Sequence, residues 1–389
     1  MTTTTTFSMQ RVDPYSPPLE HLRIQRESPI SQVQWRERPL WVITKHADAR
    51  TMLGDTRFSS DRSLPGHPTN AGYTSAAKLK NLIEMDPPEH TQQRGRIMNE
   101  FTVKKIAAMR PRVEEIVEEA IDAMLASGTE ADLVAALSLP VPSVVIAELL
   151  GVPAEDHALF QDNSAAFVDA DSTQDERIAA MGALKEYISG LVADRVQNPG
   201  DDLLSRQLAA GAPTDELAAL GFLLLIAGHE TTANMISLCV ATLLDKPELL
   251  QQLRDDPSLL PGAVEELLRY FTIAEVGGLR LATADIEVGG TLIQAGEAVF
   301  ALTNTANRDP EVFADPDRID FTRGARNHLA FGFGPHQCLG QNLARLELEV
   351  VLEAVVRRLP TLRLAEGFEG IVFKEWGPNY GVYSLPVAW

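Results

Sequence analysis

The stretch HLAFGFGPHQCLGQNLARLELEVVLEAV, residues 328 to 355, joins a glycine-rich turn, a single cysteine and an amphipathic helix in one unbroken run. Phe331, Gly332, Gly334 and Pro335 lead into Cys338-Leu339-Gly340, and from there apolar residues follow at helical spacing. A cysteine just before a helix start meets unpaired N–H groups and the positive end of the dipole, both of which favour thiolate over thiol. Glycines on either side let the backbone fold close around the sulfur. A lone cysteine is ordinarily a small buried hydrophobe, but the pattern around this one outweighs that reading. The Gly332-x-Gly334 pair is no dinucleotide fingerprint, because Gln337 stands at the third position and no strand-helix unit precedes it.

A hundred residues upstream, LLLIAGHETTANMISL (223 to 238) is apolar on both sides of four polar residues, His229, Glu230, Thr231 and Thr232. The pattern predicts a helix capped by Thr214, with Asp215 and Glu216 in its first turn, running to about Leu244. Such a helix is about 45 Å long, and apolar residues on every side make it central and buried. Unpaired polar groups there would cost about 1–3 kcal/mol each. Leu224, Ala227, Gly228, Thr231 and Met235 fall on one stripe. Ala227 and Gly228 dent it where a flat ligand could approach, and Thr231 can return its hydroxyl to the Ala227 carbonyl. The bland alternative is a satisfied Glu and Thr pair that serves packing specificity. Zinc is excluded, since Ala233 stands where an HExxH motif needs its second histidine.

Composition bounds the rest. A formal net charge of −20 argues against nucleic acid as a partner. The longest apolar run, Leu217 to Gly228, falls short of a membrane span, and MTTTTTFSMQ lacks the features of a signal peptide. The reading is a cytoplasmic protein with a disordered tail over 1–10 and a single domain over 11–389. Two cysteines, Cys239 and Cys338, exclude a disulfide framework or a four-thiolate metal site. Helical periodicity dominates at 103–125, 140–152 and 176–196, a strand is expected over 39–46, and glycine pairs suggest hairpins within 283–300. The segment 59–73 reads as a mobile loop. The fold class is mainly α with small β-sheets.

Taken together these segments resemble the cytochrome P450 family, the haem-thiolate monooxygenases. FGFGPHQCLG fits the family's FxxGxxxCxG, AGHETT (227 to 232) fits its oxygen-activating helix motif, and Glu266-Leu267-Leu268-Arg269 fits ExxR. MDPPEH (85 to 90), ANRDP (306 to 310) and YGVYSLPVAW (380 to 389) extend the resemblance along the chain, in wording most similar to soluble actinobacterial members. It implies a long central helix over a buried haem b with Cys338 as the axial, metal-binding thiolate. Phe331 would lie against the proximal haem face, with Ala227, Gly228 and Gly340 beside the cofactor. His90, Arg94, Arg280 and His336 would hold the propionates. Glu266 and Arg269 would form a structural pair, its third member Arg318 or Arg323. Glu230 and Thr231 would deliver protons during oxygen activation. Substrate would meet Leu224, Ala227, Ile273, Ala274, Val276, Pro378 and Asn379, with the loop near 65–79 and the segment near 160–174.

The implied reaction places one oxygen atom from O2 into a bulky apolar natural product, such as a macrolide, a polyene, or a sterol-like or statin-like compound. Electrons would come from an external ferredoxin and reductase, since no flavin or iron–sulfur domain fits in the chain. A basic island, Arg94, Arg96, Lys104, Lys105, Arg110 and Arg112 against Glu100 alone, is the expected docking place for an acidic ferredoxin; the competing reading is a solvated helix face. Two other readings stay open. A peroxide-driven peroxygenase of the same fold, or a haem carrier or sensor, would have little use for the Glu230 and Thr231 pair.

Overall fold

The computed structural model describes residues 7–35, 38–68, 81–157, 159–161, 163, 172–374 and 379–389. It is mostly helical with small sheets, as the sequence predicts. Contacts divide the chain into two compact units, each gathered from separated segments. One comprises Met1–Arg94, Pro261–Leu339 and Lys374–Tyr380; the other comprises Gly95–Leu260, Gly340–Phe373 and Gly381–Trp389.

The first unit is built on a five-stranded sheet in the order Ile30–Trp35, Arg38–Ile43, Ala298–Ala301, Leu279–Ala282, Phe58–Ser59. Arg38–Ile43 pairs antiparallel to Ile30–Trp35 and parallel to Ala298–Ala301. Alternation sorts the side chains: Ile43, Val299 and Ala301 enter one core, Leu40, Val42 and Phe300 the other. Leu279–Ala282 and Ala298–Ala301 are buried throughout, which suits strands covered on both faces. The strand expected over 39–46 ends at Ile43, and helix His46–Gly54 begins three residues later. The predicted hairpin forms between Ile286–Val288 and Thr291–Ile293. Its turn, Gly289-Gly290, has φ of +53° and +79°, which side-chain-bearing residues rarely adopt. Within residues 1–10, Phe7 is buried, its ring stacked 4.5 Å from that of His21.

The second unit is organised around the helix Thr214–Asp245, 32 residues long. Every residue from Thr232 to Leu243 is buried, against the helices Pro140–Leu150, Gln174–Gln197 and Gln341–Arg358. Extended Pro213 holds the flanking position that the sequence reading gave to Thr214; Thr214 is instead the first helical residue, and the first turn starts with the Glu216 amide on Asp215 Oδ1 at 2.9 Å. By length and apolar content this helix meets the measure of a membrane span, contrary to the sequence reading. Its most apolar 18-residue window is 67% buried, the condition of a core helix. The periodic run 103–125 is two helices, Val103–Ala108 and Arg110–Ala126, because Pro111 suits only a first turn.

Candidate functional site

In the first unit the cysteine loop is closed by its own backbone. The Cys338 amide donates to Phe331 O at 2.8 Å, and Gly334–His336 form a single turn inside that closure. Gly332 and Gly334 have φ of +67° and +73°. A Cβ on Gly334 would lie 2.5 Å from the Leu53 carbonyl oxygen, so only glycine fits there. The loop leaves Cys338 exposed, whereas Cys239, in the central helix of the second unit, is fully buried. Burial pushes the Cys239 thiol up, which makes it a small hydrophobe and no thiolate.

Four basic side chains gather with this loop. The rings of His90 and His336 lie 4.1 Å apart, and Arg94 Nη2 donates to Gln337 O at 2.6 Å. Neither ring nitrogen of His90 has a hydrogen-bond partner among the described residues. Burial, then the Arg280 charge, pushes His336 down to about 3. His90 is lowered by burial and then by Arg94. Arg280 is buried, and Nη1 reaches only two carbonyls, Gly277 O at 3.1 Å and Leu279 O at 2.7 Å. It has no ion pair within 4 Å among the described residues, and burial lowers it to about 10. Burying a cation without an anion costs several kcal/mol, on the order of the ion's whole desolvation penalty. Two guanidiniums and two imidazoles gathered here, with both His90 nitrogens unpartnered among the described residues and Arg280 bonded to carbonyls rather than to an anion, match the carboxylates of a haem, and the residues present fit that group.

Glu266 and Arg269 pair as expected, and both are wholly buried. Arg269 Nε meets Glu266 Oε2 and Nη2 meets Oε1, each at 2.8 Å. The open choice of third partner resolves to Arg323, whose Nε donates to Glu266 Oε1 at 3.0 Å. Arg318 lends only its carbonyl oxygen, 2.8 Å from Arg323 Nη2. Sequence reasoning missed Asn307 and the pair His328 and Glu265. Asn307 O accepts from Arg269, and its Oδ1 accepts the Leu329 amide at 2.7 Å, which ties the ion pair to the cysteine loop. His328 Nε2 lies 3.2 Å from Glu265 Oε2, and its ring is 5.8 Å from Phe331. Asn307 lies in ANRDP and His328 opens the cysteine run, so the signal was present in both motifs.

In the second unit the stripe on the central helix is uneven. Ala227 is exposed, Leu224, Gly228, Glu230 and Thr231 are half-buried, and Met235, His229 and Thr232 are buried. Thr231 Oγ1 donates to Ala227 O at 2.6 Å, as its spacing predicts. Gly228 contributes differently from its neighbour: the direction of its missing side chain points at Ile146, with Cδ1 at 3.4 Å, so the dent is carried by Ala227. Gly340 precedes the first turn of Gln341–Arg358, its carbonyl accepting the Ala344 amide at 3.0 Å.

Among the expected substrate contacts, Ile273 to Val276 links helix Leu260–Phe271 to strand Leu279–Ala282. It meets Asn379 through one isolated antiparallel bridge at Ala274, and Val276 lies against the core of Leu40 and Phe300. Pro378 lies outside the described residues, as do 69–80 and much of 160–174. The basic island is less free than the local sequence suggests, because its own Glu100 and carboxylates from distant segments neutralise it. Arg96 pairs with Glu216, Lys105 with Glu100, Arg110 with Glu349, and Arg112 with Glu148. Exposed Lys104 has no ion pair among the described residues.

The cytochrome P450 family model matches residues 17–196 and 203–362. The chain is similar to the vitamin D3 dihydroxylase of Streptomyces griseolus, 49% identical over 98% of this chain and 96% of that one. It is also similar to the pentalenic acid synthase of Streptomyces avermitilis, 46% identical over 98% and 97% of the two chains. Among solved structures, cytochrome P450 MoxA from Nonomuraea recticatena superposes with a TM-score of 0.95 at 46% identity, covering 99% of this chain and 98% of that one. Motifs, loop geometry and these likenesses agree: the chain belongs to the cytochrome P450 family and is a monooxygenase.

Proposed function

We propose that residues 11–389 act as one haem-thiolate monooxygenase domain that places one oxygen atom of O2 into a bulky apolar natural product. Haem b held by a cysteine thiolate supplies the oxygen-activating chemistry, since thiolate donation favours O–O cleavage. In this reading Cys338 is the ligand and Phe331 stands beside it. His90, Arg94, Arg280 and His336 hold the two propionates by charge-assisted hydrogen bonds. Thr231, whose proton is committed to Ala227 O, offers its oxygen lone pairs as an acceptor, and Glu230 relays protons from solvent. The observation that carries the reading is Arg280, a buried guanidinium bonded, among the described residues, only to carbonyls, in the same unit as a loop that closes on its own backbone and leaves Cys338 exposed.

The names of the two Streptomyces relatives support a bulky apolar substrate. Leu224, Ala227, Ile273, Ala274 and Asn379 are the side chains we assign to it. External ferredoxin and reductase supply electrons in the cytoplasm, and Lys104 is the part of the basic island most available for docking. Cys338→His tests the ligand assignment. The variant is expected to lose the strongly red-shifted ferrous carbonyl band that thiolate ligation produces. An unchanged band would refute it.

A further inference from the structure

Arg11 joins three segments of the first unit that are far apart in sequence. Its Nε and Nη2 donate to Glu275 Oε1 at 3.2 and 2.7 Å. Its Nη1 donates to Ser16 O at 3.1 Å, and the guanidinium lies 3.8 Å from the centre of the Tyr380 ring. Both charged side chains are almost dry, 8% and 4% exposed. Tyr380 is buried; its hydroxyl donates to Pro14 O at 2.9 Å and its amide to Ile273 O at 2.8 Å. Glu275 follows Ala274 and Tyr380 follows Asn379, the two residues joined by the isolated bridge. One guanidinium therefore holds the neighbours of both bridge residues.

A buried ion pair of this kind adds little net stability, because desolvation offsets attraction. What a guanidinium held on three sides supplies is a fixed geometry: planar, always charged, and able to stack on an aromatic ring while it pairs. Burial alone pushes the Glu275 carboxyl up and Arg11 pulls it down, so losing Arg11 would leave a carboxyl that is neutral or unpaired. The backbone bridge and the Tyr380 amide bond do not depend on Arg11. Its loss loosens the pair of segments without parting them.

We propose that Arg11 is a positioning residue for substrate selection: paired with Glu275 and stacked on Tyr380, it sets the spacing of Ala274 and Asn379 and so the shape of the pocket wall they form. This rests on the assignment of those two residues to the substrate pocket.

The test uses haem-loaded enzyme and two nitrogen ligands of different size, imidazole and clotrimazole, titrated by their difference spectra. Arg11→Met is expected to bind clotrimazole about tenfold more weakly and imidazole within about twofold of the parent. Haem content and the ferrous carbonyl band should be unchanged. Glu275→Gln should show the same selective loss, the double variant should be no worse than either single one, and Arg11→Lys should recover part of the affinity. Should Arg11→Met fail to load haem, Glu275→Gln decides alone. Equal loss of both ligands would mean a general structural role and overturn the proposal. Parental clotrimazole binding in Arg11→Met, with Ala274→Phe losing it, would overturn the proposal while leaving the pocket assignment intact. Parental binding in Ala274→Phe as well would overturn both.

Discussion

Glu266 and Glu230 are both glutamates inside apolar helices, each with a polar residue close by on its own helix, yet the structure treats them in opposite ways. Glu266 is wholly buried, and both its oxygens are taken up by Arg269, Arg323 and the Asp320 amide. Glu230 is half-buried, one residue from a threonine whose hydroxyl donates to its own helix. A carboxylate saturated by two guanidiniums has no capacity left to move a proton. One that keeps access to water can exchange it. On the proposed function, the difference separates a residue that holds the fold from one that serves the reaction.

The largest effect expected from this contrast is that of Glu266→Gln. A neutral amide would leave Arg269 and Arg323 facing each other without a counter-charge, at a cost of about 3–5 kcal/mol. Since whole domains are stable by only about 5–15 kcal/mol, little haem-loaded protein should be recovered. Parental yield and melting temperature would break the comparison at its structural end. Next comes Glu230→Gln, expected to lower turnover about a hundredfold, the usual scale of a lost proton relay, with the melting temperature unchanged. A variant that melts early but turns over normally per haem would place Glu230 with the structural acids.

Glu347 sharpens the contrast as a third case, a buried acid with no ion pair among the described residues. One of its carboxyl oxygens has no partner among the described residues, and burial pushes its pKa up to about 8. Below its unfolded value, about 4.3, both states hold the proton and nothing changes with pH. Between that value and about 8 the unfolded chain ionises while the folded one stays protonated. Stability then falls as pH rises, by on the order of 1 kcal/mol per unit, and levels off above the folded value. Glu347→Gln should remove that slope, so denaturation midpoints at about pH 5.5 and about pH 8 should differ less in the variant than in the parent. Equal slopes would show the carboxyl to be solvated or paired. The smallest effect belongs to Arg318→Ala, within about 0.5 kcal/mol, because only the main-chain carbonyl of that residue joins the network. A loss as large as that of Arg323→Ala would reverse the assignment of the third partner.

What could be read in advance follows the range of the forces. The central helix, the hairpin at Gly289-Gly290 and the Thr231 to Ala227 bond depend on residues a few positions apart, so periodicity and turn chemistry expose them. The ends were less legible: Thr214 read as a cap because Thr favours that place, and the extended proline before it took the position instead. The choice between Arg318 and Arg323 could not be made from spacing, since it depends on which side chain the loop after Pro316 turns inward. The island from Arg94 to Arg112 looked bare for the same reason. Glu148, Glu216 and Glu349 reach it from helices that local sequence does not connect to it. Arg11 was invisible altogether, because Glu275 and Tyr380 lie 264 or more residues away.

Thr231 is proposed to serve chemistry where Glu266 serves structure, and the most direct test is the ratio of product formed to reduced cofactor consumed, per haem, in Thr231→Ala. The substrate can be any compound shown to displace the iron-bound water of the parent. Parental haem content, parental melting temperature and continued electron uptake are expected, with a clearly lower ratio and the difference recovered as hydrogen peroxide. Parental coupling in Thr231→Ala, or a loss of haem that tracks a loss of stability, would contradict that role of Thr231.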